Sequence, residues 1–195
     1  AVTRIRVGDR VLLNPRLTCG NCPACEAGDD DLCVSPGGLG ATTNGGYAEY
    51  VTAPAVNVVH LPDSLTYIEA ASLPTVFMPA WTILIRRGNL KPWETSLVLS
   101  ASSGVGTAAI QVAKNIVGAT VIATTSNEEK ASKAQELGAD SVINYTKEDI
   151  AARVKELTSG RGVDVVVDHV GSEFWPAASA SLARGGRYGI CGVTT

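Results

Sequence analysis

Residues 96–114, SLVLSASSGVGTAAIQVAK, constrain the fold more than any other stretch of the chain. Ser96–Ser100 is a short apolar run of strand type. The ASSGVG that follows is built of small residues and glycine. Thr107–Lys114 then opens a helical pattern with Ala108, Ile110, Val112 and Ala113 apolar. A strand that turns through glycine into a helix aims backbone N–H groups and the positive end of a helix dipole at one point, which makes an anion site suited to a pyrophosphate. Small residues let the backbone approach the phosphates, and Gly106 lets the helix pack closely on the strand. The contacts expected are Ser102, Ser103, Gly104 and Val105. The strict G-x-G-x-x-G spacing is not met, since its glycine positions read Ala101, Ser103 and Gly106. On the motif alone, an ordinary strand–turn–helix corner stays open as a reading.

What surrounds this stretch extends it into a sheet. Strand-type runs recur at 120–123, 141–144, 163–167 and 187–191. Helical patterns lie between them at 127–137, 147–157 and 174–183. Runs of the VVV kind bounded by glycine read as strands buried on both faces, so the sheet is parallel and its crossovers right-handed, giving a doubly wound α/β fold. In such a fold the ligand crevice lies at the strands' carboxyl ends, here after Thr125, Asn144, Asp168 and Cys191. His169 and Cys191 read as packing or incidental residues, and Asp168 as a buried polar anchor.

The first third is different in kind. Residues 14–40 are rich in Gly, Pro, Cys and Asp and lack periodicity, and a loop of that length cannot build a core of its own. It holds Cys19, Cys22, Cys25 and Cys33, a C-x2-C-x2-C-x7-C spacing, while the fifth cysteine stands apart. Four thiolates so close suit a tetrahedral zinc with every position filled by protein, hence a structural ion. Two disulfides, free thiols or an iron–sulfur cluster are the alternatives. The acidic run Glu26, Asp29, Asp30 and Asp31 reads as a solvated face. Strands are expected at 11–13, 47–52 and 57–60, and a short helix within 63–72 behind a Ser64 or Thr66 cap. His60 is given no role. A longer helix is expected over 73–87, with Ala80, Trp81, Leu84 and Ile85 on one face and a kink or late start at Pro79.

A net charge of −3 with no basic block argues against nucleic acid, and no apolar run approaches the ~20 residues of a membrane span. The cysteine usage suits a cytoplasmic protein.

The stretches VGDRV (7–11), the cysteine spacing, GGYAEYV (45–51), LPDSLTYIEAASLP (61–74), SSGVGTAAIQVAK (102–114), KASKAQELGAD (130–140) and VDVVVDHVG (163–171) occur in this order along nearly the whole chain. Together they resemble the medium-chain dehydrogenase/reductase family, in its zinc-lobe alcohol dehydrogenases and quinone-oxidoreductase-like members. The resemblance implies a partial all-β GroES-like catalytic domain over 1–66 with a zinc lobe at 14–40. A Rossmann dinucleotide-binding domain over 67–195 follows, incomplete at its end. Family members are nearly twice as long. Their catalytic-zinc cysteine and Gly-His-Glu motif fall before the position matching Val7, and a third ligand position matches about Thr75, a poor ligand. A fragment is therefore expected, inactive by itself, with its catalytic residues unknown.

The resemblance implies an oxidoreductase that moves hydride between a nicotinamide cofactor and a small alcohol, aldehyde or ketone. A quinone or enone reductase without catalytic zinc, or a nucleotide-binding module without catalysis, are the alternatives. An NAD enzyme of this fold places a carboxylate after the second strand. Here that place reads Thr124-Thr125-Ser126-Asn127, with no acid before Glu128 and a cation at Lys130. Thr125, Ser126 and Lys130 thus favour NADP(H) over NAD(H), unless Lys130 is simply a solvated helix residue. In NADP-linked relatives the residues matching Lys130 and Tyr145 contact the nucleotide. A homodimer or homotetramer is expected of the intact parent.

Overall fold

In the computed structural model, residues 2–192 are described. The bounds expected at 1 and 195 lie outside them. The chain divides into two compact units, one running to Thr75 and the other starting at Val76.

The first unit has little regular structure. Its strands are β1 (Val11–Leu13), β2 (Arg16–Leu17), β3 (Gly37–Gly38) and β4 (Val58–His60), and its helices are α1 (Pro23–Glu26) and α2 (Tyr67–Ala71). β1 pairs antiparallel with β4, and β2 with β3. The strand expected over Tyr47–Thr52 does not form. Those residues alternate well enough, but among the described residues no strand lies beside them, and Tyr47 and Tyr50 are exposed. Without a partner's ladder bonds a short strand has nothing to hold it. α2 starts at Thr66, whose hydroxyl accepts from the Glu69 N–H while the Glu69 carboxylate accepts from the Thr66 N–H, a reciprocal capping box. Arg10 ties this helix to β1. It donates to the Leu65 carbonyl at 2.6 Å and lies over the Tyr67 ring, 4.8 Å from its centroid. α2 is thereby held in the first unit, whereas the sequence reading ended that unit at 66.

The boundary falls in the first turn of α3 (Pro74–Trp81), which runs on into a π-helical segment of the second unit, Thr82–Arg87. Pro79 sits inside α3 without delaying its start. The buried face is Ala80, Ile83 and Leu84; Trp81, expected inside, is exposed. Then strands and helices alternate: β5 (Thr95–Val98), α4 (Gly104–Gln111), β6 (Thr120–Thr125), α5 (Glu128–Glu136), β7 (Ser141–Asn144), α6 (Ile150–Leu157), β8 (Val163–Asp168), α7 (Trp175–Ala180) and β9 (Leu182–Ile190). The five strands form one parallel sheet in the order β7-β6-β5-β8-β9.

The side chains of the middle strands alternate between two cores, as the two-residue period requires. Val98, Val121, Ala123, Val165 and Val167 join the α3 and α4 side chains in one cluster. Leu97, Leu99, Ile122 and Val166 join those of α6 and α7 in the other, together with Val163, which precedes the register shift in β8 and falls outside the alternation. Both faces are covered, and the fold is the doubly wound parallel sheet expected. Two boundaries differ. α7 stops at Ala180, short of the expected 183, and β9 begins at Leu182 where a strand was expected only from 187. β9 meets β8 in two pieces, Val163 facing Leu182 and Val165 facing Arg187, with a bulge between. Gly185 in that bulge has φ +81°, a conformation open to glycine.

Candidate functional site

Within residues 14–40 the only buried side chains are Cys22 and Cys33. The lobe's interior is thus made of sulfur. α1 begins right after Cys22 with Pro23 in its first turn, and this carries Cys25 back towards Cys22. The Sγ atoms of Cys19, Cys22, Cys25 and Cys33 all lie within 4.8 Å of one another, with Cys22–Cys25 at 3.5 Å and Cys19–Cys25 at 4.0 Å. A tetrahedral zinc with Zn–S bonds of about 2.3 Å needs sulfurs about 3.8 Å apart, so the set fits such an ion. All four thiols are free of disulfides. Backbone N–H groups of Cys19 and Ser35 point at Cys33 Sγ, at 3.3 and 3.4 Å. The Cys25 N–H holds the Cys22 thiol down to about 6, and that of Cys19 lowers Cys33. Burial pushes Cys25 up to about 12. Cys22 is therefore poised as a thiolate, the form a metal takes, and Cys33 is shifted in the same direction.

The second site is the carboxyl crest of the parallel sheet. After β5 the chain turns at Ser100, which has φ +49°, and its N–H donates to Thr124 Oγ1 at 3.0 Å. The Ala101 N–H donates to the Thr124 carbonyl at 2.8 Å, so β6 holds the turn. Ser103 caps α4, its Oγ accepting from the Gly106 N–H at 2.9 Å. A Cβ on Gly106 would come within 2.3 Å of the Ser100 carbonyl oxygen. The helix start and the strand end touch there through bare backbone, the role expected of this glycine. Ser102–Val105 sit at the N-terminus of α4 as expected.

One strand over, Thr125 ends β6 almost wholly buried, and its Oγ1 finds no hydrogen-bond partner among the described residues. A buried hydroxyl without a partner costs about 1–3 kcal/mol, so it marks a place where a ligand atom fits. Ser126 follows, its Oγ accepting from Lys130 Nζ at 3.4 Å. Asn127 caps α5 by accepting from the Lys130 N–H at 3.0 Å. Lys130 thus sits one turn into α5, beside the end of β6. Glu128, the first acid after this strand, is committed elsewhere. It pairs with Lys147 at 2.9 Å, which lowers its pKa. Tyr145 lies after β7, its ring edge-on to Phe174 at 5.0 Å, packed against the second core. The structure therefore brings Ser102–Val105, Thr125, Ser126 and Lys130 to two adjacent strand ends, with Tyr145 at the next strand.

Tyr188 escaped sequence reasoning. It reaches from β9 to the buried Asp168 at the end of β8, 2.7 Å from Oδ2. No motif marks it. Only the β8–β9 register shows that it stands beside Val166, two residues short of that carboxylate. His169 is half-buried, and desolvation pushes its pKa down against the opposing charge of Asp168.

A family model described as "Zinc-binding dehydrogenase" matches residues 104–195, and one described as "Alcohol dehydrogenase GroES-like domain" matches residues 1–63. An "NAD-dependent alcohol dehydrogenase" of Saccharolobus solfataricus is 38% identical over 190 residues, 95% of this chain and 54% of its own length. A "Quinone oxidoreductase-like protein 2 homolog" of Nematostella vectensis is 37% identical over 142 residues, 73% of this chain and 39% of its own. A crystal structure of an NAD-dependent alcohol dehydrogenase superposes with a TM-score of 0.91 at 43% identity, covering 96% of this chain and 54% of that one. This chain thus spans about half the length of the curated relatives it matches. Both units have family counterparts in the same order, and the fold agrees along nearly the whole chain. The chain therefore belongs to the zinc-containing medium-chain dehydrogenase/reductase family.

Proposed function

We propose that this chain binds a nicotinamide dinucleotide over the crest of its parallel sheet and one structural zinc in its cysteine lobe. On this reading it is part of an oxidoreductase that acts on a small alcohol, aldehyde or ketone. The observation that carries the nucleotide is the pair at adjacent strand ends: the bare-backbone turn at 100–106 and the buried, unpartnered Thr125 hydroxyl. The N–H groups opening α4 take the pyrophosphate, and Thr125 Oγ1 takes a ribose hydroxyl. A bound nicotinamide supplies or accepts the hydride, while this chain's residues bind and orient it. Cys19, Cys22, Cys25 and Cys33 hold the zinc, which serves the lobe as the core it lacks.

NADP(H) is proposed over NAD(H), because no carboxylate stands at Thr125–Asn127, Glu128 is paired with Lys147, and Lys130 stands free of any ion pair among the described residues. The relative from Saccharolobus solfataricus is named an NAD-dependent enzyme, which favours the opposite choice. The likeness to a quinone-oxidoreductase-like protein supports a second reading, reduction of a quinone or enone without catalytic zinc. The parent is proposed to be a cytoplasmic homodimer or homotetramer; among the described residues no helix is long and apolar enough to cross a membrane. The test is a fluorescence titration of the chain with NADPH and NADH. Saturable binding with NADPH the tighter supports the nucleotide site and the cofactor preference. Tighter NADH overturns the cofactor preference, and no binding of either overturns the nucleotide site.

A further inference from the structure

The turn that follows β8 is fastened by one buried carboxylate. Asp168 is 0% exposed. Its Oδ1 accepts from the N–H groups of Val170 at 2.7 Å and Gly171 at 3.1 Å, and its Oδ2 accepts from the Tyr188 hydroxyl at 2.7 Å. Among the described residues no lysine or arginine pairs with it, so three donors meet the charge. Its carbonyl accepts from the Cys191 N–H at 3.0 Å, a second tie to the segment leaving β9. Gly171, with φ +107°, closes the turn in a conformation side chains rarely adopt. A buried carboxylate needs its full set of donors, and a structure that loses one must open towards water to replace it. Asp168 thereby holds the residues 169–171 in one conformation, and Tyr188 holds Asp168. The Tyr188 ring is itself fixed by the Trp175 ring, their centroids 4.5 Å apart.

The strand order says what this turn faces. β5 carries the pyrophosphate turn, β6 on one side carries Thr125, and β8 lies on the other side. A dinucleotide with its pyrophosphate at α4 and its adenosine ribose at Thr125 must extend its other half over the end of β8. We propose that Asp168, braced by Tyr188, is a positioning residue that fixes the 169–171 turn for the nicotinamide half of the dinucleotide. This rests on the cofactor reading above.

Tyr188→Phe removes one donor and keeps the ring against Trp175. In the variant, amide hydrogen exchange at Val170 and Gly171 should accelerate about tenfold or more, as loss of a charge-assisted hydrogen bond implies, while that of Leu99 in the sheet stays unchanged. The tighter of the two dinucleotides should bind about tenfold more weakly. ADP, which carries only the adenosine and pyrophosphate, should bind within twofold of the wild type. Asp168→Asn should repeat this pattern. Unchanged exchange at 170 and 171 overturns the strut. Faster exchange with unaltered dinucleotide affinity, or equal loss of dinucleotide and ADP, overturns the positioning role. If the unaltered chain binds neither ligand, the cofactor reading fails first and the positioning role falls with it.

Discussion

Replacing Gly106 by alanine tests the geometry of the crest directly. The added Cβ would meet the Ser100 carbonyl oxygen at 2.3 Å, Ser103 Oγ at 3.0 Å and the Ala101 carbonyl carbon at 3.1 Å. Two of these are backbone atoms, and Ser100 is pinned by its bond to Thr124. The clash is relieved only by lifting the start of α4 off the end of β5. Overpacking of this kind costs about 1–3 kcal/mol. The lift also strains the Ser103 cap, whose loss costs about 1 kcal/mol. The expected destabilisation is therefore about 2–4 kcal/mol. For a unit of this size about 4 °C accompanies each kcal/mol, so Tm should fall by roughly 8–16 °C. Chemical denaturation and calorimetry read this, and dinucleotide affinity should drop as the N–H groups move. Gly104→Ala is the control. Its Cβ would meet only Val76 side-chain atoms, the nearest at 2.5 Å, which move more cheaply than backbone. A Gly106→Ala change within about 0.5 kcal/mol of wild type, or a Gly104→Ala change larger than it, would refute the close-approach argument.

Protein purified without added metal should carry about one equivalent of zinc by elemental analysis, and Cys33→Ser should lose most of it; two disulfides and no metal would remove the case for the lobe. Lys130→Ala should weaken NADP(H) roughly tenfold to a hundredfold and leave NAD(H) nearly unchanged in paired titrations, and equal losses would count against a 2′-phosphate contact. At the opposite end of the sheet, Arg187 clasps Glu94 through two nitrogens, at 2.8 and 2.6 Å, and holds the Glu94 pKa below its usual range. Because the folded value is depressed, the pair's stabilisation is present above the unfolded pKa of about 4.3 and lost as pH falls through the folded one. Glu94→Gln should thus cost about 2 kcal/mol at neutral pH, with the gap to wild type closing below about pH 4; a gap independent of pH would show the charge is idle.

The periodicity of the chain already determined the sheet, because each strand's faces are decided locally. VDVVVD can only bury both sides, and a sheet buried on both sides is parallel. Capping was legible at α2: of Ser64 and Thr66, Thr66 sits where its hydroxyl meets the third N–H on, and that needs no distant partner. The cysteine lobe was legible too, since a span without periodicity cannot stand without a cross-link. Where the sequence misled, a partner was missing or unforeseen. Residues 47–52 alternate like a strand but have no neighbouring strand among the described residues, and Leu182–Ala183 continue a helical pattern yet pair across a glycine bulge. Only the tertiary structure decided which polar groups meet. That Thr125 ends its strand with an unsatisfied hydroxyl, that Glu128 is taken by Lys147, and that Tyr188 braces Asp168 all depend on the register between strands and the packing of helices far apart in sequence. A residue's own neighbours fix the face it shows; what it touches there is fixed by another segment whose offset no local pattern records.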